Sequence, residues 1–593
     1  MVMRVSLGRR FTDDPLLLDG YRNSLICHEG ILMLDFAARP EGQLTMNRYM
    51  SRCLWLLAVL SAFLAAEPLA LSAQSGPIVW VVPALTRVAQ DEAPGSQREI
   101  ALWAARGEYE SLQVVVRAPA GGLKNVSVAI SDLAGAHDRI SRANLALYRE
   151  HYVRIERGSP DRGGTNRPLG PGWFADALIP FTAAGTRALR AVPFDLAQSS
   201  NQPVWIDVFV PGDTVPGRYR GTVTVTSDEG KATVSVVLNV WNFELPLRPS
   251  LLSAFNVSND TNTNPRVFYG DEKQNQELLL RHKIMPVSVD PRYEREFMRR
   301  FGLSIARIEY FPHASYGNCK EPPAPSVGDL LSLKAKHQPD ARLYLHLADE
   351  VSECPNIFPI LKQWARNARQ AGLAPLLTAI PLPELRDDGS GTGHSVADIW
   401  VLLPKQFVSN SADVAAALKK GDRVWSYTAI VQDNFSPKWE IDFPPINYRI
   451  YGFLNQSVGA TGLLYWSVNS WAIGPTKDPW NNITYIENGK PEPPGEGWLV
   501  YPGAAVGSDA FVPSMRLKWI RKSIEDYEYV EILKKLGRGD WALALVKKVA
   551  ADWAHWAQDA EAVEAVRRQL GAEIDRISSA EKTPSGLSSG PQR

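Results

Sequence analysis

The chain has 593 residues, and its 64 lysines and arginines balance 64 aspartates and glutamates, so the formal net charge is zero. This balance gives no support to a nucleic-acid-binding surface. With 45% hydrophobic and 22% charged residues, the composition excludes a largely disordered chain. Four cysteines are too few for a disulfide scaffold or a cysteine-rich zinc site. At roughly 150 residues per domain, the length predicts a multidomain protein.

The N-terminal region has the pattern of an export signal. Arg48 and Arg52 precede an apolar run from Leu54 to Ala66, and Leu71-Ser72-Ala73 resembles the small-residue pattern of a cleavage site. The run is shorter than the roughly 20 residues that span a bilayer. A membrane anchor or a buried helix is the alternative interpretation.

We therefore predict a signal peptide at residues 46–73, and we interpret residues 1–45 as a mis-assigned N-terminal extension. The protein is then secreted or periplasmic, with no stable membrane span after cleavage. Export would leave Cys319 and Cys354 as the remaining cysteine pair. A single disulfide is plausible in an oxidising compartment, although spacing alone does not show that the two residues are close.

Residues 76–248 contain repeated short runs with β-strand patterning, among them Ser111–Val116 and Trp205–Val210. The turn at Asp228-Glu229-Gly230 joins two alternating runs, which is a hairpin pattern. Regular short strands without helical segments between them favour a β-sandwich. We predict an accessory sandwich domain that supports a catalytic neighbour.

From residue 251 to about residue 540 strand-like runs alternate with helical segments, which indicates a parallel α/β sheet. About eight strand candidates favour a (β/α)8 TIM-type barrel over an open sheet. The clearest candidates are Leu251–Val257, Leu303–Tyr310, Ala341–Ala348, Leu376–Ile380, Asp398–Leu402, Val424–Ala429 and Gly462–Val468. Active sites of such barrels lie at the C-terminal ends of the strands.

The C-terminal part of the chain is predicted to be helical. Met515–Leu536 places apolar residues on one stripe, and Gly537 ends the pattern. Further C-terminal helices are expected over residues 541–578, followed by a polar, disordered tail at residues 579–593.

Asp349-Glu350 is the carboxylate pair with the most informative position, because it follows the alternating strand that ends at Ala348. Its carboxyl groups are therefore expected at the C-terminal face of the barrel. The alternative is a helix N-cap, where both residue types are also favoured. Spacing alone leaves both interpretations open.

Paired carboxyl groups in unequal environments are the machinery of glycoside hydrolysis, since one must hold a proton while the other stays charged. Separate nucleophile and acid groups stand about 5–5.5 Å apart across the bond. Adjacent residues on a regular strand point to opposite faces and serve that arrangement poorly. Neighbouring carboxylates suit a substrate-assisted route better, in which the 2-acetamido oxygen of the sugar attacks. One carboxylate would orient the acetamido group, and the other would be acid and then base.

Aromatic residues at predicted strand ends offer flat apolar faces with a polar edge, which suit sugar rings. Trp425 and Tyr427 end one strand, and Trp466, Asn469 and Trp471 follow the last one. A buried core position is the alternative for Trp466, whereas Asn469 and Trp471 are predicted at the rim. The sequence has no His-Glu-x-x-His, Walker or Cys-x-x-Cys motif, so we predict neither a metal nor another cofactor.

At these residues the chain resembles glycoside hydrolase family 123, whose C-terminal part is also called the DUF4091 region. The resemblance extends from about residue 76 to 537 and is specific as an ordered set of motifs. These are Asp349-Glu350, Val424-Trp425-Ser426-Tyr427-Thr428, Tyr448-Arg449, the segment 462–471, Gly497-Trp498-Leu499-Val500-Tyr501-Pro502-Gly503, Pro513-Ser514-Met515-Arg516-Leu517 and Ile524-Glu525-Asp526-Tyr527-Glu528-Tyr529.

The resemblance implies a β-sandwich joined to a (β/α)8 barrel, with retaining exo-β-N-acetylgalactosaminidase activity through an oxazolinium intermediate. Asp349 would orient the acetamido group, and Glu350 would be the acid/base. The substrate would be a glycan with a terminal N-acetylhexosamine, bound by Trp425, Tyr427, Arg449, Trp466, Asn469 and Trp471. Two alternatives stay open: a non-catalytic glycan-binding protein, and a glycosidase with a distant second carboxylate acting on sugars without the acetamido group.

Overall fold

The computed structural model describes residues 76–185, 189–257, 271–308, 318–472, 479–481, 483, 486–487 and 490–581. The predicted extension and signal peptide, and the tail beyond residue 581, lie outside the described residues. Within those ranges no helix is long and apolar enough to cross a bilayer.

The first part of the described chain is made of β-strands. Its strands are β1 (Ile78–Pro83), β2 (Glu99–Arg106), β3 (Tyr109–Arg117), β4 (Leu123–Ile130), β5 (Leu133–Ala134), β6 (Arg139–Ile140), β7 (Leu145–Ile155), β8 (Gly172–Pro180), β9 (Phe194–Leu196), β10 (Asn201–Phe209), β11 (Gly217–Ser227) and β12 (Gly230–Glu244). The predicted hairpin is confirmed, because β11 and β12 pair in antiparallel register with Ser227 opposite Gly230.

These strands form two sheets, which is why the sequence patterns alternate. One sheet has the order β1-β3-β10-β7-β8, and the other has the order β2-β12-β11-β4-β9 with β5 and β6 at its side. Side chains of both sheets, such as Val114 on β3 and Val223 on β11, belong to one apolar core. The alternating residues of each strand are thus divided between this core and the opposite face of the sheet.

The second part is a nearly closed barrel of parallel strands. In chain order they are β13 (Leu252–Phe255), β14 (Ala306–Arg307), β15 (Leu343–Asp349), β16 (Ala374–Thr378), β17 (Ile399–Leu402), β18 (Arg423–Tyr427) and β19 (Gly462–Tyr465). The described residues form a seven-stranded sheet with the order β13-β19-β18-β17-β16-β15-β14. Its strands are short and almost wholly buried, as expected for a parallel sheet covered by helices.

A short extended segment bridges the two edge strands β13 and β14. Phe255 of β13 hydrogen bonds with Met285 O and Val287 N, at 2.9 Å each, and Arg307 N of β14 donates to Val287 O at 2.9 Å. The described segment around Pro286 makes only an isolated bridge with β13 and is not a regular strand. The sheet is therefore nearly closed with seven strands rather than eight regular ones.

Helices cover the barrel and continue beyond it. They are α1 (Glu272–Arg281), α2 (Pro291–Arg300), α3 (Val327–Lys334), α4 (Phe358–Gln370), α5 (Pro404–Ser409), α6 (Ser411–Lys420), α7 (Ile446–Arg449), α8 (Tyr451–Val458), α9 (Met515–Lys535), α10 (Gly539–Val546) and α11 (Ala560–Glu581). Short two-stranded pairs are β20 (Ile486–Glu487) with β21 (Lys490–Pro491), β22 (Val500–Tyr501) with β23 (Val512–Pro513), and β24 (Ala550–Asp552) with β25 (His555–Trp556). The first residues of the predicted tail, up to Glu581, are helical in α11.

Helix α9 joins the two parts of the fold through buried ion pairs. Lys518 and Arg521 bind Asp207 of β10 at 2.6 and 2.9 Å, and Arg516 binds Asp176 of β8 at 2.8 Å. The predicted apolar stripe is present, but the charged face of the helix is buried as well.

Near the barrel mouth Cys319 and Cys354 form a disulfide with their Cα atoms 5.2 Å apart, which confirms that the pair can bond.

Candidate active site

A cavity of about 560 Å³ opens at the C-terminal ends of the barrel strands. Four predicted site residues line it together: Asp349, Glu350, Tyr427 and Trp466. They arrive from the ends of β15, β18 and β19, which the parallel order of the sheet brings to one edge. The remaining wall includes Asn256, Val287, Arg307, Tyr344, His346, Gln432, Glu492 and Glu496.

The backbone at Glu350 explains how two adjacent carboxyl groups reach the same cavity. On a regular strand they would point to opposite faces, but Glu350 has a left-handed backbone with φ 51°. The pairing of β15 with β16 is also irregular between His346 and Asp349. No helix begins at Glu350 in the described chain, since the next helical turn starts at Pro355, so the N-cap interpretation is wrong. A non-glycine residue in this conformation is uncommon and is found preferentially at functional sites.

Asp349 lies in an environment that favours its protonated form. Burial, and then the neighbouring charge of Glu350, raise the pKa of Asp349 to about 6, although a hydrogen bond from Thr378 lowers it. The Thr378 hydroxyl is also 3.0 Å from Nε2 of His346. Burial and the charge of Arg307 lower the pKa of His346 to about 3, so this imidazole is neutral beside the pair.

Glu350 has a different partner. The phenol of Tyr427 donates a hydrogen bond to Oε1 of Glu350. Burial, followed by the charge of Glu350, raises the pKa of Tyr427 well above its usual value, so the phenol remains a donor at working pH. The two carboxyl groups therefore differ in their contacts, as acid–base chemistry requires.

Trp466 is half-buried at the cavity wall and presents the aromatic surface expected for a sugar platform. Its indole N–H donates to Oε1 of Glu496. The polar edge of the ring is thereby fixed to the protein while the ring contributes to the cavity surface.

The other four predicted substrate-binding residues do not line this cavity. Trp425 is fully buried inside the barrel, with its ring 6.4 Å from that of Tyr344. Arg449 is buried in ion pairs with Asp526 and Glu564. Asn469 and Trp471 are also buried; the indole of Trp471 donates to Val500 O at 2.8 Å, so neither residue is a rim position.

Several cavity residues were not singled out for substrate contact from the sequence. These residues are His346, Arg307, Glu492 and Glu496. The signal for Glu496 was its position between Gly495 and Gly497, which have φ values of 82° and 65°. Glycines in left-handed conformations on both sides indicate a backbone shaped for close approach.

Comparisons with protein families agree with this architecture. Residues 86–227 match the model described as the glycoside hydrolase 123 N-terminal domain, and residues 340–533 match the glycoside hydrolase 123 catalytic domain. The chain belongs to glycoside hydrolase family 123. This family member is a glycosidase, and its catalytic match contains Asp349, Glu350, Tyr427 and Trp466.

Solved structures support the same fold for this glycosidase. A family 123 glycoside hydrolase from Clostridium perfringens, described for glycolipid glycan hydrolysis, superposes with a TM-score of 0.60 at 14% identity, covering 85% of this chain and 99% of that one. A β-glucuronidase from Parabacteroides merdae has a TM-score of only 0.27 at 9% identity, covering 71% and 50%, and carries no inference. A sequence comparison with curated proteins finds no significant match.

Proposed function

We propose that this glycosidase is exported and releases terminal β-linked 2-acetamido sugars, N-acetylgalactosamine first among them, with retention of configuration. The observation that carries the proposal is that the adjacent residues Asp349 and Glu350 line one cavity. They do so because the backbone of Glu350 has a left-handed conformation. Two neighbouring carboxyl groups suit a mechanism in which the substrate supplies the nucleophile. The predicted signal peptide at residues 46–73 is the basis for the exported location.

The reaction proceeds in two steps. The acetamido oxygen attacks the anomeric carbon, the bond to the leaving oxygen breaks, and Glu350 gives its proton to that oxygen. Asp349 accepts a hydrogen bond from the acetamido N–H and stabilises the charge of the oxazolinium ring. Glu350 then takes a proton from water, which attacks the anomeric carbon and reopens the ring. Tyr427 donates to Glu350 whenever that group is a carboxylate, and the Trp466 ring receives a sugar face.

The proposal is tested with nitrophenyl β-glycosides that differ only in the 2-substituent. We expect hydrolysis of the N-acetylgalactosaminide or N-acetylglucosaminide and none of the matched galactoside or glucoside. A thiazoline analogue of the oxazolinium ring is expected to inhibit competitively, and NMR is expected to show the β-anomer first. Equal turnover of sugars without the acetamido group would overturn substrate assistance. It would favour the alternative with a more distant second carboxylate, since Glu492 also lines the cavity.

The pH dependence gives a separate test of Asp349. A protonated Asp349 cannot accept the acetamido N–H, and its pKa is about 6. We therefore expect an acidic limb on which kcat/KM falls about tenfold per pH unit below pH 6. Thr378→Val removes a hydrogen bond that lowers this pKa, so the acidic limb is expected to move to higher pH. A profile that is flat from pH 5 to pH 7 in both proteins would remove Asp349 from this role.

A further inference from the structure

Glu496 connects two walls of the cavity through its carboxylate. One oxygen accepts the indole N–H of Trp466, which follows β19. The other accepts the backbone N–H of Ile430, which follows β18, at 2.9 Å. Both Trp466 and Ile430 line the cavity, so a single buried side chain sets the spacing between its aromatic wall and the wall at residues 429–432.

The backbone of Ile430 needs this contact. Its φ of 53° is a left-handed conformation, which a β-branched residue adopts only under constraint. The hydrogen bond from its N–H to Glu496 stabilises that conformation. The segment that carries Ala429, Ile430 and Gln432 into the cavity wall thus depends on the carboxylate.

The position of Glu496 is itself fixed by its neighbours. Ser470 Oγ donates to Glu496 O at 2.8 Å, and Gly497 N donates to the Tyr465 hydroxyl at 2.8 Å. A Cβ atom at Gly497 would overlap the Trp466 ring, so the loop lies directly against the indole. Any movement of Glu496 is therefore passed to Trp466.

A second carboxyl group, that of Glu440, lies against the carboxyl of Glu496. The carboxyl of Glu440 is fully buried, and no N–H or hydroxyl of the described residues donates to either of its oxygens. A fully buried carboxyl that accepts from no donor is stable only in its neutral form, so Glu440 carries the proton of the two groups.

We propose that Glu496, which lies against the buried carboxyl of Glu440, is a positioning residue whose carboxylate sets the Trp466 ring and the 429–432 segment at the spacing that admits a sugar. Glu496 is not the acid/base, because both of its oxygens are occupied as acceptors and it is nearly fully buried. The sugar ligand in this inference rests on the proposed function, but the arrangement of Trp466 does not.

The charged and titratable groups around Glu440 and Glu496 determine how these two carboxyl groups respond to pH. Burial and then the charge of Glu496 raise the pKa of Glu440 well above its usual value. The titratable groups that face the two carboxyls are Lys438, Asp442, Glu492, Tyr448, Tyr451 and Tyr465. Lys438 opposes the shift, whereas Asp442 reinforces it. Loss of the Glu440 proton at alkaline pH would place two negative charges together and separate the walls.

The decisive measurement follows Trp466 directly, by fluorine NMR of protein labelled with 5-fluorotryptophan. The Trp466 resonance is assigned as the one missing in Trp466→Phe. We expect this resonance to shift in Glu496→Gln and to move with alkaline pH in the native protein but not in Glu440→Gln, whose amide does not titrate. Glu150→Gln makes the same chemical change at a buried carboxyl outside the cavity and is expected to leave the resonance unchanged. An unchanged Trp466 resonance in Glu496→Gln would overturn the proposal whatever the substrate.

Kinetics on the best acetamido glycoside separate positioning from catalysis. Glu496→Gln is expected to raise KM about tenfold with kcat within about threefold, because it removes binding rather than proton transfer. The alkaline rise of KM is expected in the native protein and absent in Glu440→Gln. A loss confined to kcat would contradict a positioning role. If the native protein hydrolyses no acetamido glycoside, the proposed function fails, and the NMR result still decides the role of Glu496.

Discussion

Replacing Glu350 by glutamine is expected to lower kcat on acetamido glycosides by a factor of about 10²–10⁴, which is the usual contribution of a general acid or base. The amide keeps the size of the side chain and the hydrogen bond from Tyr427, but it cannot give a proton to the leaving oxygen. The loss is therefore chemical rather than structural, and the melting temperature is expected to stay close to that of the native protein.

The leaving group provides the internal control for this experiment. The leaving group of a dinitrophenyl glycoside is dinitrophenolate, a weakly basic anion that needs little protonation. Glu350→Gln is therefore expected to retain much more of its first-step rate on that substrate than on an alkyl glycoside. Glu150→Gln, a buried change outside the cavity, is expected to retain full activity. Equal losses on both leaving groups would contradict the assignment of Glu350 as the acid.

Replacing Glu108 by alanine is expected to lower the free energy of unfolding by about 3–5 kcal/mol, because the buried cations Lys522 and Arg567 lose a carboxylate that they share and keep only their other partners. Glu108 lies between β2 and β3 and binds Lys522 of α9 at 2.6 Å; it also pairs with Arg567 of α11. Tyr529 donates to it at 2.8 Å. This one carboxylate thus connects the N-terminal sheets to two C-terminal helices, and urea unfolding measures the loss.

The effect of Glu108→Ala can be tested further through its dependence on pH and by comparison with an exposed ion pair. Burial raises the pKa of Glu108, but the charges of Arg567 and Lys522 outweigh it and lower the value to about 2. A depressed pKa stabilises the fold above about pH 4.5, and the contribution is lost as pH falls toward 2. The difference between native protein and variant is therefore expected to shrink on acidification. Glu99→Ala, which breaks an exposed pair with Arg220, is expected to cost less than about 1 kcal/mol. Similar costs for the two variants would contradict the role of burial.

The order of the elements and part of the active site could be predicted from the sequence because these features depend on local patterns. Period-two runs predicted the strands of the N-terminal sheets and of the barrel, and the alternation of the later strands with helices predicted a parallel sheet. Asp349 and Glu350 were found because they directly follow a buried strand, where the parallel order of the sheet brings strand ends together. Tyr427 and Trp466 were found by the same rule.

That rule failed where a side chain's surroundings come from distant parts of the chain. Trp425 was placed at a strand end, but the glycine at position 462 leaves room for its ring inside the barrel. Arg449 belongs to a recognisable motif, yet its partners Asp526 and Glu564 are far along the chain and bury it away from the cavity. The contacts of Glu496 with Trp466 and Ile430 also depend on loops that no periodicity describes.

By itself, then, the sequence determined the strand and helix pattern and a carboxylate pair at a strand end, because each is carried by residues close together in the chain. It also determined the family, because the motifs and their order can be read along the chain. Only the tertiary structure decided that both carboxyl groups share one cavity, since this rests on the left-handed backbone of Glu350. It also decided that the charged face of α9 is buried: Lys518 and Arg521 pair with Asp207, and Lys522 pairs with Glu108. Those carboxylates lie hundreds of residues away, and a charge is stable in the interior only where such a partner is brought to it.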